Sequence, residues 1–332
     1  MTFVFGLRYP IFQAPTGSIA GPELALAVSQ AGGMGALALT WTEPEVAAAY
    51  VRQVRAATES PFLVNFALAF PPHALEAALE AGAPIVSFSW GDPAPYAAKV
   101  RAAGARFGVQ VTNVGGVERA RSLGADFLIA QGIEAGGHVQ SSTPLAELLP
   151  RLIEAAQGTP MIAAGGIGSG IEIARALATG ASGAMLGTRF VATQESRAHP
   201  EYKRLLLEAH SRNTALTVCF EGGWSYAAHR VLRNTTLERW EAAGSPPVGE
   251  RPGEGEIIGR TASGEPILRY EDTAPRLDMS GAIEAMCLYA GMSCEAIRDL
   301  PSASELVPRL WAECEACRAS HPVEEQQWHP LN

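Results

Sequence analysis

Between Pro10 and Arg189 the chain repeats one unit: a short apolar run, a polar or glycine-bearing turn, a segment rich in Ala and Leu with helical spacing, and a glycine. The apolar runs are Pro10–Gln13, Met34–Leu39, Phe62–Phe66, Ile85–Ser89, Phe107–Val111, Phe127–Ala130, Met161–Ala164 and Ala184–Leu186. Gly32, Gly82, Gly104, Gly124 and Gly180 each fall just before the next run, where the left-handed position past a helix end favours glycine. The last four of these are followed by Ala, so the unit itself recurs. Short apolar strands alternating with helices imply a parallel sheet covered on both faces. Eight such units favour an α/β fold closed as a (β/α)8 TIM barrel, with an open doubly wound sheet as the structural alternative. The expected organisation is a barrel over residues 1–190, a cap or substrate domain over 191–280, and C-terminal helices over 281–332 that return to the barrel.

With 332 residues, 47% of them hydrophobic, the chain can bury a core of that size. A net charge of -9 and no Lys/Arg run argue against nucleic acid as a partner. No apolar stretch approaches the roughly 18 residues of a membrane span, and no basic segment precedes the apolar residues at the N-terminus, so a cytoplasmic location is expected. All five cysteines lie in the last third, an odd number that suits free thiols. Cys314 and Cys317 have a zinc-like spacing but no convincing second ligand pair, so no metal is expected.

In a barrel of this kind the active site lies where the strands end. Those ends carry Gln13-Ala14-Pro15, Asn65, Ser89-Trp90, Gln110, Gln131 through His138, Gly165-Gly166 and Gly187-Thr188. An unpaired buried carboxamide is costly, so Asn65, Gln110 and Gln131 either share a ligand or cap neighbouring turns. Ala163–Gly170 and Leu186–Thr188 place glycines after strands seven and eight, where backbone N–H groups at a helix start can hold a phosphate. The Gly-x-Gly-x-x-Gly dinucleotide fingerprint with its later acidic residue is missing, which favours a mononucleotide-sized phosphate ligand. His138 closes the glycine-rich loop Ala130–His138 and is either the proton-moving side chain of the site or a structural histidine after a tight turn. In the cap, Ile257–Tyr270 reads as a hairpin and Ala282–Tyr289 and Ser304–Cys317 have helical spacing. Trp224 and Tyr226 either line a pocket or pack the cap.

Pro10–Pro15, Ala31–Gly35, Asn65, Ala130–His138, Ala164–Ile167, Gly183–Phe190 and Thr193–Ser196 together resemble the nitronate monooxygenase family, formerly called 2-nitropropane dioxygenases. The likeness spans about residues 10 to 210, with a weaker echo over Gly281–Gly291. It implies an FMN-bearing TIM barrel in which Gly166, Gly187 and Thr188 hold the flavin phosphate. Asn65, Gln110, Gln131 and Gly136 would lie around the ribityl chain and ring, with Ala14, Pro15, Thr16, Gly137 and Gly165 completing the cofactor set. His138 is the implied catalytic histidine. The implied reaction takes a small-molecule alkyl nitronate or propionate 3-nitronate and O2 to a carbonyl compound and nitrite. Thr16 stands where many relatives have Met, and Val139-Gln140 departs from the usual continuation of the histidine motif; both positions are expected to face the cavity above the flavin. Similar loops occur in NAD(P)H-dependent quinone reductases and flavin-dependent enoyl-thioester reductases, which form the alternative, and a non-catalytic flavin- or phosphate-binding protein is a further one. The Ala-rich helix faces suit a homodimer as well as barrel packing.

Overall fold

The computed structural model describes residues 4–320. The expectations for residues 1–3 and 321–332 lie outside the described residues. Eight parallel strands build the main sheet: β1 Ile11–Gln13, β2 Gly35–Ala38, β3 Phe62–Ala67, β4 Ile85–Ser89, β5 Arg106–Val111, β6 Phe127–Gln131, β8 Met161–Ala164 and β9 Gly183–Leu186, with the two-residue β7 Gly137–His138 outside it. The sheet order runs β1-β9-β8-β6-β5-β4-β3-β2, and a parallel bridge between Phe12 and Met34 joins its two ends. That bridge makes the sheet a nearly closed barrel, not an open doubly wound sheet.

Helices α1 Pro22–Gln30, α2 Pro44–Ala57, α3 Leu75–Glu80, α4 Ala94–Ala102, α5 Val114–Ser122, α6 Leu145–Ala156 and α7 Gly170–Ala178 follow successive barrel strands. Gly32, Gly82, Gly104, Gly124 and Gly180 all have positive φ past their helix ends, the conformation that selects glycine there. After β9 the chain makes only the short α8 Thr188–Val191. The outer wall is completed instead by α11 Ala303–Ser320, which packs on α7 and α1.

Alternate strand residues face inward. Phe12, Met34, Ala36, Leu63, Ile85, Phe127, Ile129, Ile162 and Met185 form a buried cluster inside the barrel, with Phe5 and Leu7 closing its lower end. The other face of each strand packs on the helices in a second, larger cluster. Gly108 in β5 lies where any Cβ would overlap the Phe127 ring.

Above the strand ends sits a smaller layer. It contains α9 Pro200–Glu208, the antiparallel pair β10 Thr214–Thr217 and β11 His229–Leu232, and α10 Thr235–Ala242. A three-stranded sheet of β12 Ile257–Thr261, β13 Pro266–Leu268 and β14 Met279–Gly281 completes it, with β12 and β13 forming the hairpin around Gly264. The helix expected over Ala282–Tyr289 is not formed. That stretch makes one 3-10 turn, Ile283–Ala285, and then an antiparallel bridge from Tyr289 to Val231. Its apolar residues are buried by tertiary neighbours in an extended chain, so their spacing is no guide to helix there.

Gly108→Val should therefore destabilise the barrel by about 1–3 kcal/mol or more, the usual cost of forcing volume into a packed core. Chemical denaturation checks this, and Phe127→Leu in the same chain should recover part of the loss by making room.

Candidate active site

The upper ends of the barrel strands and the smaller layer enclose a cavity of about 560 Å³. From the strand ends it is lined by Ala14, Pro15, Thr16, Asn65, Gln110 and Gln131. The glycine-rich loops add Gly136, Gly137, His138, Gly165, Gly166, Gly187 and Thr188, so His138 and all the residues expected around a cofactor reach this one space. Ala14 N–H donates to the Leu186 carbonyl and Gln13 Oε1 accepts from Ala36 N–H, which fixes the first loop to β9 and β2.

On one side the wall is backbone. Gly165 and Gly166 have φ of 115° and 71°, and the N–H groups of Gly165, Gly166, Gly187 and Thr188 donate to no group of the described residues. Thr16 Oγ1 is buried without a hydrogen-bond partner. Unpaired donors and a buried hydroxyl converging in one place cost stability unless a polar ligand takes them. This wall therefore fits a phosphate-bearing group. Glu134 underpins it: its carboxylate is buried and accepts from Leu145 N–H at the start of α6, a helix whose N-cap residue, Pro144, gives no side-chain cap. Burial pushes the Glu134 carboxyl up, against the opposing pull of backbone hydrogen bonds and Arg230.

The three carboxamides converge as expected but are not free. Asn65 Nδ2 donates to the Ser87 carbonyl and hydroxyl at 3.2 and 3.0 Å. Gln131 Nε2 donates to the His138 carbonyl, and its Oε1 accepts from Gln140 N–H at 2.9 Å and Gln110 Nε2 at 3.3 Å. They stiffen the floor, leaving Asn65 Oδ1 and Gln110 Oε1 without partners among the described residues. Thr16 lines the cavity as its sequence position implied. Val139 and Gln140 do not: Val139 is buried, and Gln140 borders a separate polar cleft beside Asn113 and Arg151. The Gln140 side-chain Oε1 accepts from Gln110 Nε2 at 2.7 Å and from Trp90 N–H at 3.3 Å. Trp90 itself sits at φ 59°, a costly conformation for a non-glycine residue that such bonds help to hold.

His138 occupies the opposite, aromatic side. In β7 it pairs antiparallel with β11, His138 facing His229, and Val139 N–H continues the link to the Ala228 carbonyl. The Trp224 ring stacks on the imidazole at 4.4 Å and 27°, with Tyr289 at 5.7 Å, His229 at 5.4 Å and Trp90 at 6.3 Å. Neither His138 ring nitrogen has a hydrogen-bond partner among the described residues. Burial, helped by the neighbouring His229, holds the imidazole down to about 3. His229 is itself kept neutral by burial, with Nδ1 against the Ala227 carbonyl and Nε2 accepting from Phe220 N–H. A resting imidazole with so low a proton affinity is a poor general base near neutral pH and a good single N–H donor.

A family model described as nitronate monooxygenase matches residues 1–313. The chain belongs to the nitronate monooxygenase family. A nitronate monooxygenase from Pseudomonas aeruginosa is 32% identical over 76% of this chain and 84% of its own length. A (3aS,4S,5R,7aS)-5-hydroxy-7a-methyl-1-oxo-octahydro-1H-indene-4-carboxyl-CoA dehydrogenase from Mycobacterium tuberculosis is 33% identical over 93% of this chain and 94% of its own. Among solved structures, FabK from Thermotoga maritima superposes with a TM-score of 0.81 at 27% identity, covering 95% of this chain and 96% of its own. Nitroalkane oxidase from Streptomyces ansochromogenes gives 0.74 at 29%, covering 95% and 98%. As a member of the nitronate monooxygenase family the chain is an oxidoreductase.

Within this family member, sequence reasoning missed Tyr289, Asp272 and Arg276, which also line the cavity. Asp272 and Arg276 come from a stretch without periodic pattern or glycine cluster, and Tyr289 ends a segment whose helical spacing gives no sign that it reaches the cavity. Trp224, one of the two cap aromatics singled out in the sequence, is buried on His138, whereas Tyr226 is 73% exposed. Among the described residues no helix is long and apolar enough to cross a membrane, and no His/Cys/Asp/Glu group could hold a metal.

The neutral imidazole sets an acid limit. His138 falls from an ordinary value of 6.5 to about 3 on folding, so between those pH values the unfolded chain carries the extra proton. Its contribution to stability is complete above about pH 6.5 and is lost as pH falls toward 3. In thermal melts across that window wild type should lose stability relative to His138→Phe as the pH drops, and parallel curves would contradict the burial of a neutral ring.

Proposed function

We propose that the chain is an FMN-dependent oxidoreductase that converts alkyl nitronates, with O2, to a carbonyl compound and nitrite. The flavin would supply the electron-transfer chemistry, with its phosphate held by Gly166, Gly187 and Thr188 and its ribityl chain and ring beside Asn65, Gln110, Gln131 and Gly136. Ala14, Pro15, Thr16, Gly137 and Gly165 would close around it. Support for a phosphate at the glycine wall comes from the unpaired N–H groups and the partnerless Thr16 hydroxyl. The observation that carries the substrate reading is His138. An imidazole held neutral, with both ring nitrogens unpaired, suits a substrate that has already lost its proton: it gives one N–H to a nitronate oxygen and orients it. The aromatic wall of Trp90, Trp224 and Tyr289 packs the alkyl chain and excludes water.

A second reading, oxidoreduction of a bulky acyl thioester, is favoured by the coverage of the indene-carboxyl-CoA dehydrogenase relative and by the aromatic mouth. Trp41, which lines the cavity and is 60% exposed, packs edge-on to Phe70, which packs edge-on to Trp224, so apolar rings run from the cavity out to the surface.

Mass spectrometry of the cofactor released from purified protein should give FMN and not FAD. An anaerobic titration followed through the flavin absorbance then separates the readings. Bleaching by an alkyl nitronate supports the first, bleaching only by an acyl-CoA the second, bleaching only by NAD(P)H a reductase of quinones or enoyl thioesters, and none a non-catalytic flavin binder. His138→Ala should keep FMN and lose on the order of 10- to 100-fold in kcat/KM with the nitronate, the range for one hydrogen bond to a charged group. FAD, or an apoprotein that cannot take up FMN, would sink the assignment.

A further inference from the structure

Asp272 is the one carboxylate, and Arg276 the one Lys or Arg, among the residues that line the cavity. Arg276 is already engaged: its Nε and Nη2 donate to the two carboxylate oxygens of Asp278 at 3.0 and 3.1 Å. Asp272 has no such partner, and among the described residues no cation forms an ion pair with it. Its side chain packs against Gly222, where any Cβ would overlap the carboxylate. Gly222 lies two residues, at most about 7 Å of extended chain, before the Trp224 that stacks on His138. Tyr289 lies within electrostatic reach of Asp272, and its ring lies 5.7 Å from that of His138, so the three groups share one side of the space. Charge in the cavity is therefore one-sided. The unpaired N–H groups stand at the glycine wall and His138 is neutral, whereas the aromatic side carries a carboxylate without a counter-ion. Such a carboxylate repels a second anion far more strongly in poorly solvated space than in water, and no free cation is there to hold that anion.

We infer that Asp272 sets the charge specificity of the cavity: it admits an anionic head at His138 whose substituent is neutral or ends in a hydrogen-bond donor, and turns away one whose substituent carries a second negative charge. The inference rests on the proposed function for the identity of that head, a nitronate, and narrows its substrate class. Alkyl nitronates and those ending in a hydroxyl or carboxamide fall inside the class; propionate 3-nitronate, a dianion, falls outside it. The substituent of a nitronate held by the His138 N–H runs along the side that Trp224, Tyr289 and Asp272 share. A carboxylate there meets Asp272 with no counter-cation between them, whereas a carboxamide of the same shape donates to an oxygen that has no other partner. Burial first, then the like charges of Glu271 and Glu221, push the Asp272 carboxyl upward, and those two charges also oppose the arrival of another anion. Tyr289 and Cys287, which burial keeps neutral, offer no charge to offset it.

Steady-state oxidation by the holoenzyme is measured at about pH 8 with the preformed nitronates of 1-nitropropane, 3-nitropropionamide and 3-nitropropionate, the last two alike in shape and unlike in charge. Wild type should show a kcat/KM for the amide on the order of 10- to 100-fold above that for the carboxylate, with the 1-nitropropane nitronate on the amide's side of the gap. Asp272→Asn should close most of that ratio and Asp272→Glu should keep it, whereas a role in folding alone would move all three substrates together. If Asp272→Asn fails to fold with flavin, Asp272→Ser decides in the same way. Binding is read apart from turnover, through the flavin absorbance shift caused by succinamate and by succinate, which carry a carboxylate where the nitronate would stand. Equal preference for amide and carboxylate in wild type, or an unchanged preference in the Asn or Ser variant, would overturn the inference. A preference for succinamate that depends on Asp272, in a protein that oxidises no nitronate, would leave this inference standing and remove the proposed function; oxidation of all three nitronates alike would do the reverse.

Discussion

Two residues of antiparallel pairing, Gly137–His138 against His229–Arg230, hold the upper layer to the barrel, and the character of the cavity depends on them. Without that pairing His138 would stand at a strand end in water with an ordinary imidazole pKa. With it, the ring is pressed under Trp224 and beside Tyr289, and desolvation makes it a neutral donor. The same loop is fixed from other sides as well. Glu134 binds the start of α6, Arg230 donates to the Ile133 carbonyl, and any Cβ at Gly136 would overlap the Gly291 amide, so the chain passes there only as glycine. Gly291 N–H in turn donates to Thr188 Oγ1 at 2.9 Å, which ties the histidine loop to the last glycine loop.

The cavity thus has two unlike walls built by different means. The glycine wall exposes peptide dipoles that cost nothing to reorganise when an anion arrives, because the backbone that carries them is fixed by the barrel. The aromatic wall has few polar groups and keeps water away from whatever stands beside His138. A polar ligand portion and an apolar one are each given a surface that suits it, and the carboxamide floor of Asn65, Gln110 and Gln131 joins the two.

The barrel was legible because its signals are local. Strand runs, C′ glycines and the glycines after strands seven and eight are written within a few residues of where they act. The residues at the strand ends could be named for the same reason, and family resemblance gave them roles. What could not be read depends on partners distant in sequence. Gln140 turns away from the cavity because its backbone N–H is held by Gln131 and its side chain by Gln110 and Trp90. Ala282–Tyr289 has helical spacing yet is drawn out as an extended segment against β11. The low proton affinity of His138 comes from rings placed 48 residues before it and 86 and 151 after it, at Trp90, Trp224 and Tyr289, and no local pattern encodes that. Asp272, in a segment without periodicity, carries no signal until the fold sets it in the cavity.

The central claim is that the active-site imidazole is neutral at working pH and acts by donating a hydrogen bond. The most direct measurement is the 15N NMR titration of the His138 ring in selectively labelled protein, from pH 8 down to 5. The account predicts ring shifts of one neutral imidazole throughout that range, with protonation setting in only toward pH 3. A titration centred near 6.5, with the ring cationic at pH 5, would contradict it.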